Sequence, residues 1–179
     1  MRKQRVVWIV GIICVLVAVA NAGFALELRS DAFERGRAIP VQYTLFGEDK
    51  SPALMWADVP EDTKSFVLLA EDSDAPIGIW VHWLAFNIPG NFRKLLADVP
   101  KEKIVEGGIC QGMNSFRRIG YNGPKPPQGS PHRYIFRLYA LDIILALPAG
   151  AGKTAVVEMM KGHVLEEAEF FGIFGRNMM

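Results

Sequence analysis

Short apolar runs, separated by turn-forming residues, follow one another along most of the chain. Runs of about four to eight residues that are bounded by Gly, Pro, Asn or Asp are typical of β-strands. The pattern predicts strands at residues 27–33, 41–45, 54–56, 65–70, 81–88 and 133–141. Residues 65–70 are apolar after Ser65, which indicates a strand buried on both faces. Residues 91–110 are weakly patterned, and we predict mostly loop there, with a short strand or helical turn.

The pattern changes near the C-terminus. Between Lys153 and Phe170, apolar residues recur at three- and four-residue spacing, which predicts amphipathic helix. Gly162 is expected to divide this segment into two short helices. Many short strands followed by a helical tail predict a mainly β, two-sheet sandwich with short C-terminal helices. The sequence shows no internal repeat or linker, so we expect a single domain over residues 26–179.

The first 25 residues have the pattern of a secretory signal peptide. A basic start is followed by an apolar run over residues 6–20 and then by small residues. We predict cleavage after Ala22 or Ala25, and hence a periplasmic or secreted protein. The alternative is an uncleaved N-terminal membrane anchor, because residues 6–26 approach the length that spans a bilayer. If the signal is cleaved, no stable membrane insertion is expected.

Charge and cysteine content narrow the function classes. The 179-residue chain has a formal net charge of +1, and loss of residues 1–25, with three basic and no acidic side chains, changes it to about −2. A nearly neutral domain argues against nucleic acid as a partner. Cleavage also leaves Cys110 as the only cysteine, so an intramolecular disulfide is excluded. We interpret Cys110 as a small buried apolar residue.

The candidate chemistry lies where loops meet predicted strands. The chain has three histidines, and His82 and His132 both occupy such junctions. Strict alternation in residues 81–88 predicts one face that consists of His82, Leu84, Phe86 and Ile88. Alternation in the later strand predicts a second face, formed by Tyr134, Phe136 and Leu138. His163 falls at helical spacing among apolar residues, and we interpret it as structural.

Two histidines, a phenol and the nearby Asp72 and Asp74 form a set that can receive an anion. Imidazole N–H and phenolic O–H groups donate hydrogen bonds, while a carboxylate orients a histidine and sets its tautomer. The loop at 120–131 is rich in Gly and Pro, and its backbone N–H groups can add donors. Each residue also has a structural interpretation: the aspartates as Asx-turn residues, the histidines and Tyr134 as core.

Two segments carry a resemblance to a known family. EDSDAPIGIWVHWLAFNIPG, from residue 71, and GYNGPKPPQGSPHRYIFRLYALD, from residue 120, resemble the two signature blocks of the phosphatidylethanolamine-binding protein (PEBP) family, also called Raf kinase inhibitor-like proteins. The combination of DxDAP, WVHW and PPxGxxHRY in this order is highly specific. IPVQYTLFGEDKSPALMWADVPEDTKSF and GHVLEEAEFFGIF are similar to the family as well, so the resemblance covers essentially the whole mature chain. Val81 makes the chain resemble the bacterial branch.

The resemblance implies a Greek-key β-sandwich with a small pocket for phosphate-like anions. It places Asp72, His82, His132 and Tyr134 in that pocket, with the aspartate pair completed by Asp74. Its walls would be Pro76, Trp80 and the Pro126–Pro127 loop. Members of the family generally act as ligand-binding or inhibitory modules, so no catalytic residue, metal or cofactor is expected. Arg117 departs from the family pattern, which favours Gly at that position.

These observations lead to a functional hypothesis and an alternative. The hypothesis is an exported, non-catalytic binding protein for phosphate, phosphorylethanolamine or a similar small anion, which also inhibits a protein partner of unknown identity. The alternative is a hydrolase, such as a phosphoesterase, in which the histidines and aspartates act in acid–base catalysis or hold a metal. Against the alternative, the sequence contains neither an HExxH motif nor a nucleophile elbow.

Overall fold

A computed structural model describes residues 25–179. The predicted signal peptide, residues 1–25, lies outside this part of the chain except for Ala25, so its cleavage stays a prediction. Within residues 25–179, no helix combines the length and the hydropathy that a membrane crossing requires.

The described residues form nine strands and one α-helix. The strands are β1 Glu27–Arg29, β2 Leu54–Ala57, β3 Ser65–Asp72, β4 Trp80–Pro89, β5 Lys94–Leu95, β6 Ile104–Val105, β7 Ile109–Gln111, β8 His132–Leu141 and β9 Val164–Phe174. The helix, α1, is Lys153–Met160, between β8 and β9. Short 3₁₀ turns occur at Val41–Tyr43, Glu106–Gly108 and Arg176–Met178.

The strands make two antiparallel sheets, which confirms the predicted mainly β class. The smaller sheet has the order β1-β2-β5, and the larger has the order β6-β7-β4-β3-β8-β9. β3 is at the centre of the larger sheet, between β4 and β8, and all eight of its residues are buried. Burial of both faces explains why its sequence is a continuous apolar run rather than an alternating one.

Two hydrophobic clusters stabilise this arrangement. One lies between the sheets and includes Trp56 of β2, Phe66 of β3 and Phe136 of β8. The other covers the opposite face of the larger sheet, where Val67 of β3 packs with Val156 of α1. The single helix therefore closes the outer face of the large sheet and is not part of a helical tail.

The prediction of a second C-terminal helix is wrong. Residues 164–174 form the strand β9, which pairs with β8 over its whole length. Val164 and Leu165, which supplied the helical spacing, are substantially exposed, and buried and less buried residues alternate from Glu167 onward. Gly162, at φ 78°, ends the helical segment, and pairing with the long β8 edge then outweighs local helix preference.

The predicted strand at 41–45 is also wrong, and the predicted strand from residue 27 ends at Arg29 rather than Phe33. Val41–Tyr43 forms a 3₁₀ turn because Thr44 offers local hydrogen bonds. The backbone N–H and the hydroxyl of Thr44 both donate to the Val41 carbonyl, at 2.9 and 2.8 Å. Such local bonds compete with the ladder bonds that a strand would make.

Two bulges interrupt the alternation of β4. Ala70 and Glu71 of β3 are opposite Trp83 and Val81, so His82 is an inserted residue without a partner in that register. A second register shift lies near Asn87, at φ 55°. The predicted common face is therefore wrong: Leu84 and Phe86 pack in the outer cluster, whereas the ring of His82 contacts Tyr134 of the inter-sheet cluster. The predicted face of β8 is confirmed, since Tyr134, Phe136 and Leu138 all pack between the sheets.

Candidate functional site

One end of the larger sheet brings together residues that are distant in sequence. Asp72 at the end of β3 is opposite Trp80 at the start of β4 and Tyr134 near the start of β8. His132, the first residue of β8, is opposite Phe174, the last residue of β9. In neighbouring antiparallel strands the end of one strand lies beside the start of the next. The two loop–strand junctions therefore converge at this end of the sheet.

A cavity of about 500 Å³ opens at this end of the sheet. It is lined by Asp72, Ala75, Pro76, Ile77, Trp80, His82, Phe116, Lys125, Pro126, Pro127, His132 and Arg176. This volume is within the range of small-molecule sites, and the lining combines an apolar wall with a few polar groups, as such sites do.

A buried polar contact of the cavity joins His132 to Asp72. The His132 Nδ1 atom is 2.7 Å from Asp72 Oδ2, and the two side chains are 10% and 6% exposed. An ionised carboxylate only accepts hydrogen bonds, so Nδ1 carries the proton and donates it. The other carboxylate oxygen accepts the backbone N–H of Asp74 at 2.9 Å, so Asp72 forms the Asx turn and also orients the histidine.

His82 is fixed by a backbone carbonyl. Its Nδ1 atom donates to the carbonyl oxygen of Asn122 at 2.6 Å, and the Asn122 backbone N–H donates to the His82 carbonyl at 3.0 Å. Asn122 is held in turn by the carboxylate of Asp49, which also accepts the backbone N–H of Gly123. Burial lowers the pKa of His82, although the bond to Asn122 and the charge of Asp72 oppose the shift.

The two histidines consequently present the same ring nitrogen to a ligand. In each, Nδ1 is committed to a protein oxygen, which leaves Nε2 as the only ring nitrogen that a bound molecule can use. A neutral Nε2 accepts a hydrogen bond, whereas a protonated one donates and carries positive charge. The site can thus bind a group that brings its own hydrogen, or an anion together with a proton on a histidine.

Tyr134 and Asp74, both predicted site residues, do not line the cavity. Tyr134 is 2% exposed, and its ring stands edge-on to His82 with centroids 5.2 Å apart. Its hydroxyl has no hydrogen-bond partner among residues 25–179, and burial, followed by the charge of Asp72, raises its pKa. Tyr134 therefore packs against His82 without lining the cavity itself.

Asp74 holds the start of β8. Its carboxylate accepts the backbone N–H of Arg133 at 2.8 Å and forms an ion pair with the guanidinium at 3.3 Å. Burial acts to raise the pKa of Asp74, but the bonds from Arg133 outweigh it and the net shift is downward. This contact positions His132, the neighbour of Arg133, at the edge of the cavity.

The cavity wall contains both predicted and unforeseen residues. Pro76, Trp80, Pro126 and Pro127 lie where the resemblance placed them, and Phe116 joins them, with its ring 5.4 Å from that of Trp80. Sequence reasoning missed five lining residues: Ala75, Ile77, Phe116, Lys125 and Arg176. All but Arg176 lie within or beside the two segments that resemble the family, so this proximity could have identified them as lining residues.

Arg117 keeps the left-handed backbone, at φ 59°, which explains why Gly suits that position. The Asn114 side chain stabilises the turn by accepting the backbone N–H groups of Phe116 and Arg118. Both arginines are exposed, and neither lines the cavity.

A second concavity, of about 510 Å³, lies between the edge strands β5 and β6. Its wall is mainly apolar, with residues such as Phe92, Leu95 and Ile109, and it contains no histidine. Among residues 25–179, no group of three or more metal-ligating side chains is close enough to hold an ion. The histidine-lined cavity is therefore the stronger candidate site.

Fold and cavity together define an antiparallel β-sandwich with a histidine–aspartate pocket at one end of its larger sheet. Residues 29–175 match the family model described as phosphatidylethanolamine-binding protein. The chain belongs to the phosphatidylethanolamine-binding protein family.

Relatives and solved structures agree with this assignment. A UPF0098 protein of Aquifex aeolicus is 46% identical over 157 residues, which cover 87% of this chain and 91% of that one. A UPF0098 protein of Methanothermobacter thermautotrophicus is 47% identical over 152 residues, covering 84% and 99%. The crystal structure of a PEBP homologue from Chlamydia trachomatis superposes with a TM-score of 0.78 at 37% identity, covering 85% of this chain and 98% of that one. Escherichia coli YbcL, a member of the mammalian PEBP family, gives 0.79 at 28% identity, covering 85% and 99%.

Proposed function

We propose that this protein is a non-catalytic binding protein whose pocket takes a small anion, such as phosphate or phosphorylethanolamine. The observation that carries the proposal is the buried His132–Asp72 pair, whose Nδ1–Oδ2 distance is 2.7 Å, on the wall of the cavity. The pair fixes one histidine tautomer, and Lys125 and Arg176 add positive charge nearby. Binding of an anion is supported by this charge and by the donors that protonated histidines supply.

Export and inhibition of a protein partner belong to the same proposal. Export to the periplasm or the exterior is supported by the signal-peptide pattern of residues 1–25. The inhibitory role is supported by the family resemblance, and the exposed rim around Ile77 is where a partner bearing a bound anion would meet the protein.

A hydrolytic function has less support. The cavity lining contains no Ser, Thr or Cys that would act as a nucleophile. Asp72, the one carboxylate in the lining, already accepts hydrogen bonds from His132 and from the Asp74 backbone. The Nε2 atoms of His82 and His132 are free acceptors that a general base would use, so only the lack of a nucleophile in the lining counts against hydrolysis.

The test is a thermal-shift titration of the protein with phosphate and with phosphorylethanolamine. A ligand that binds only the folded state raises the melting temperature as its concentration increases. We expect this increase in the parent and in His163→Ala, whose own aspartate pair is outside the cavity, but not in His132→Ala. No increase in the parent between about pH 5 and 8, the range over which histidine titrates, would refute the proposal.

A further inference from the structure

Two cations on the cavity wall have no ion-pair partner among the residues that the structure describes, 25–179. Lys125 and Arg176 both line the cavity. The ion pairs within residues 25–179 involve other basic residues and neither of these two. Their charges are therefore not neutralised locally and are available to a bound molecule.

Arg176 is held by an aromatic stack rather than by a carboxylate. Phe174, at the end of β9, is buried, and the ring of Phe46 stacks on it with centroids 6.0 Å apart. The guanidinium carbon of Arg176 lies 5.1 Å from the Phe46 ring centroid. A cation–π contact of this kind orients a guanidinium without removing its charge.

The nearby carboxylates offset these cations only in part. Asp72 is the only carboxylate in the lining, and it already accepts two hydrogen bonds. Asp74 is outside the cavity and paired with Arg133. With neutral histidines, the lining thus carries two positive charges against one negative charge.

We infer that Lys125 and Arg176 determine ligand specificity, by making the pocket select a doubly charged phosphomonoester over a singly charged phosphodiester. The inference rests on the proposed function and adds the charge class of the ligand. Coulomb energy is proportional to ligand charge, so an unpaired cation stabilises a bound dianion twice as much as a monoanion at the same position. A phosphomonoester is largely a dianion above its second pKa of about 6, whereas a diester has one charge at any such pH.

The experiment compares methyl phosphate with dimethyl phosphate by calorimetric titration at about pH 8 and low salt, where the monoester is a dianion and the diester a monoanion. We expect the parent to prefer methyl phosphate. A unit charge about 5 Å away, in a water-like dielectric, changes the affinity of a monoanion about fourfold and that of a dianion about sixteenfold. Arg176→Gln should therefore lower the affinity for methyl phosphate by a factor that is about the square of the factor for dimethyl phosphate. Lys125→Gln should change the two affinities in the same direction.

Two further variants separate charge from structure. Arg176→Lys keeps the charge and should keep most of the preference for the monoester. Arg35→Gln is the matched control, because the Arg35 guanidinium also lies over a phenylalanine ring, 5.2 Å from the centroid of Phe171, but outside this cavity. It should leave both affinities unchanged.

The outcomes distinguish this inference from the proposed function. Equal fold-losses for the two ligands in Arg176→Gln would overturn the inference, because structural damage does not depend on ligand charge. Equal binding of both ligands by the parent, abolished by His132→Ala, would overturn the selectivity and leave the anion pocket intact. If methyl phosphate, dimethyl phosphate and inorganic phosphate all failed to bind, the inference and the proposed function would both be overturned.

Discussion

Two histidine–aspartate pairs in this protein have nearly the same hydrogen bond and very different surroundings. The Nδ1 atom of His132 is 2.7 Å from Asp72, and that of His163 is 2.8 Å from Asp142. The first pair is 10% and 6% exposed and borders a cavity, whereas both side chains of the second are 42% exposed. His163 joins the turn after α1 to the end of β8, where its carbonyl also accepts the Asp142 backbone N–H.

The difference shows that the contact alone does not identify a functional site. Water screens the exposed pair and competes for its hydrogen bond. The pair therefore contributes little to the free energy of unfolding and serves to stabilise a turn. The buried pair is shielded from water, and removal of one partner leaves a polar group without its hydrogen bond. Burial beside a cavity, rather than the bond length, distinguishes the two pairs.

The largest difference should appear in stability. Asp72→Ala removes the acceptor for both His132 and the Asp74 backbone, and we expect it to lower the free energy of unfolding by about 2–4 kcal/mol. Asp142→Ala should cost less than about 1 kcal/mol. Urea denaturation of the two variants measures both values. Equal costs would show that the surroundings do not separate the pairs.

An effect of intermediate size should appear in the pH dependence of the free energy of unfolding. Its source is His82, which lies beside the buried pair. Burial lowers the pKa of His82, so the unfolded chain, with a histidine pKa near 6.5, binds the proton first as pH falls. The contribution of His82 to the free energy of unfolding is therefore complete above about pH 6.5. It decreases as the pH falls towards the lower pKa of the folded state, with a slope of at most about 1.4 kcal/mol per pH unit.

Two substitutions check the assignment of this slope to His82. The groups around the ring are the Asn122 carbonyl and the carboxylates of Asp72 and Asp49. His82→Gln should flatten the profile below about pH 6.5, while His163→Gln should leave the contribution of His82 in place. An unchanged slope in His82→Gln would contradict the assignment.

The smallest effect should be the response to salt. The cost of Asp142→Ala should shrink by about 0.5 kcal/mol or less between low salt and about 1 M, because screening weakens an exposed pair. The cost of Asp72→Ala should change little, since the buried pair is poorly accessible to ions. Denaturation midpoints at the two salt concentrations give the comparison, and a larger salt effect at Asp72 would reverse it.

The sequence predicted three of the four long strands of the larger sheet well, because their apolar content follows directly from burial. β3, β4 and β8 were each located to within a few residues. The short 3₁₀ turn at Val41–Tyr43 and the strand β9 were missed, since the first depends on Thr44 side-chain bonding and the second on pairing with a distant strand.

The site was predictable in part for the same reasons. Asp72, His82 and His132 were singled out because each stands at a loop–strand junction, and the structure brings all three to one cavity, while their role in binding stays a prediction. The bulge that turns His82 towards Tyr134 leaves no trace in an alternation pattern that assumes an uninterrupted strand. Arg176 was missed because only the pairing of β8 with β9 carries it to that edge.

The central position of β3 has a consequence for how the chain is made. A ribosome releases β3 and β4 before β8, so the β3–β4 hairpin must wait for residues 132–141 with one apolar strand edge unpaired. Open edges of this kind pair with other chains, so a fragment that stops before His132 should aggregate where the longer chain stays dispersed. The candidate pocket is completed later still, because Arg176 follows β9, the last strand of the larger sheet to be synthesised.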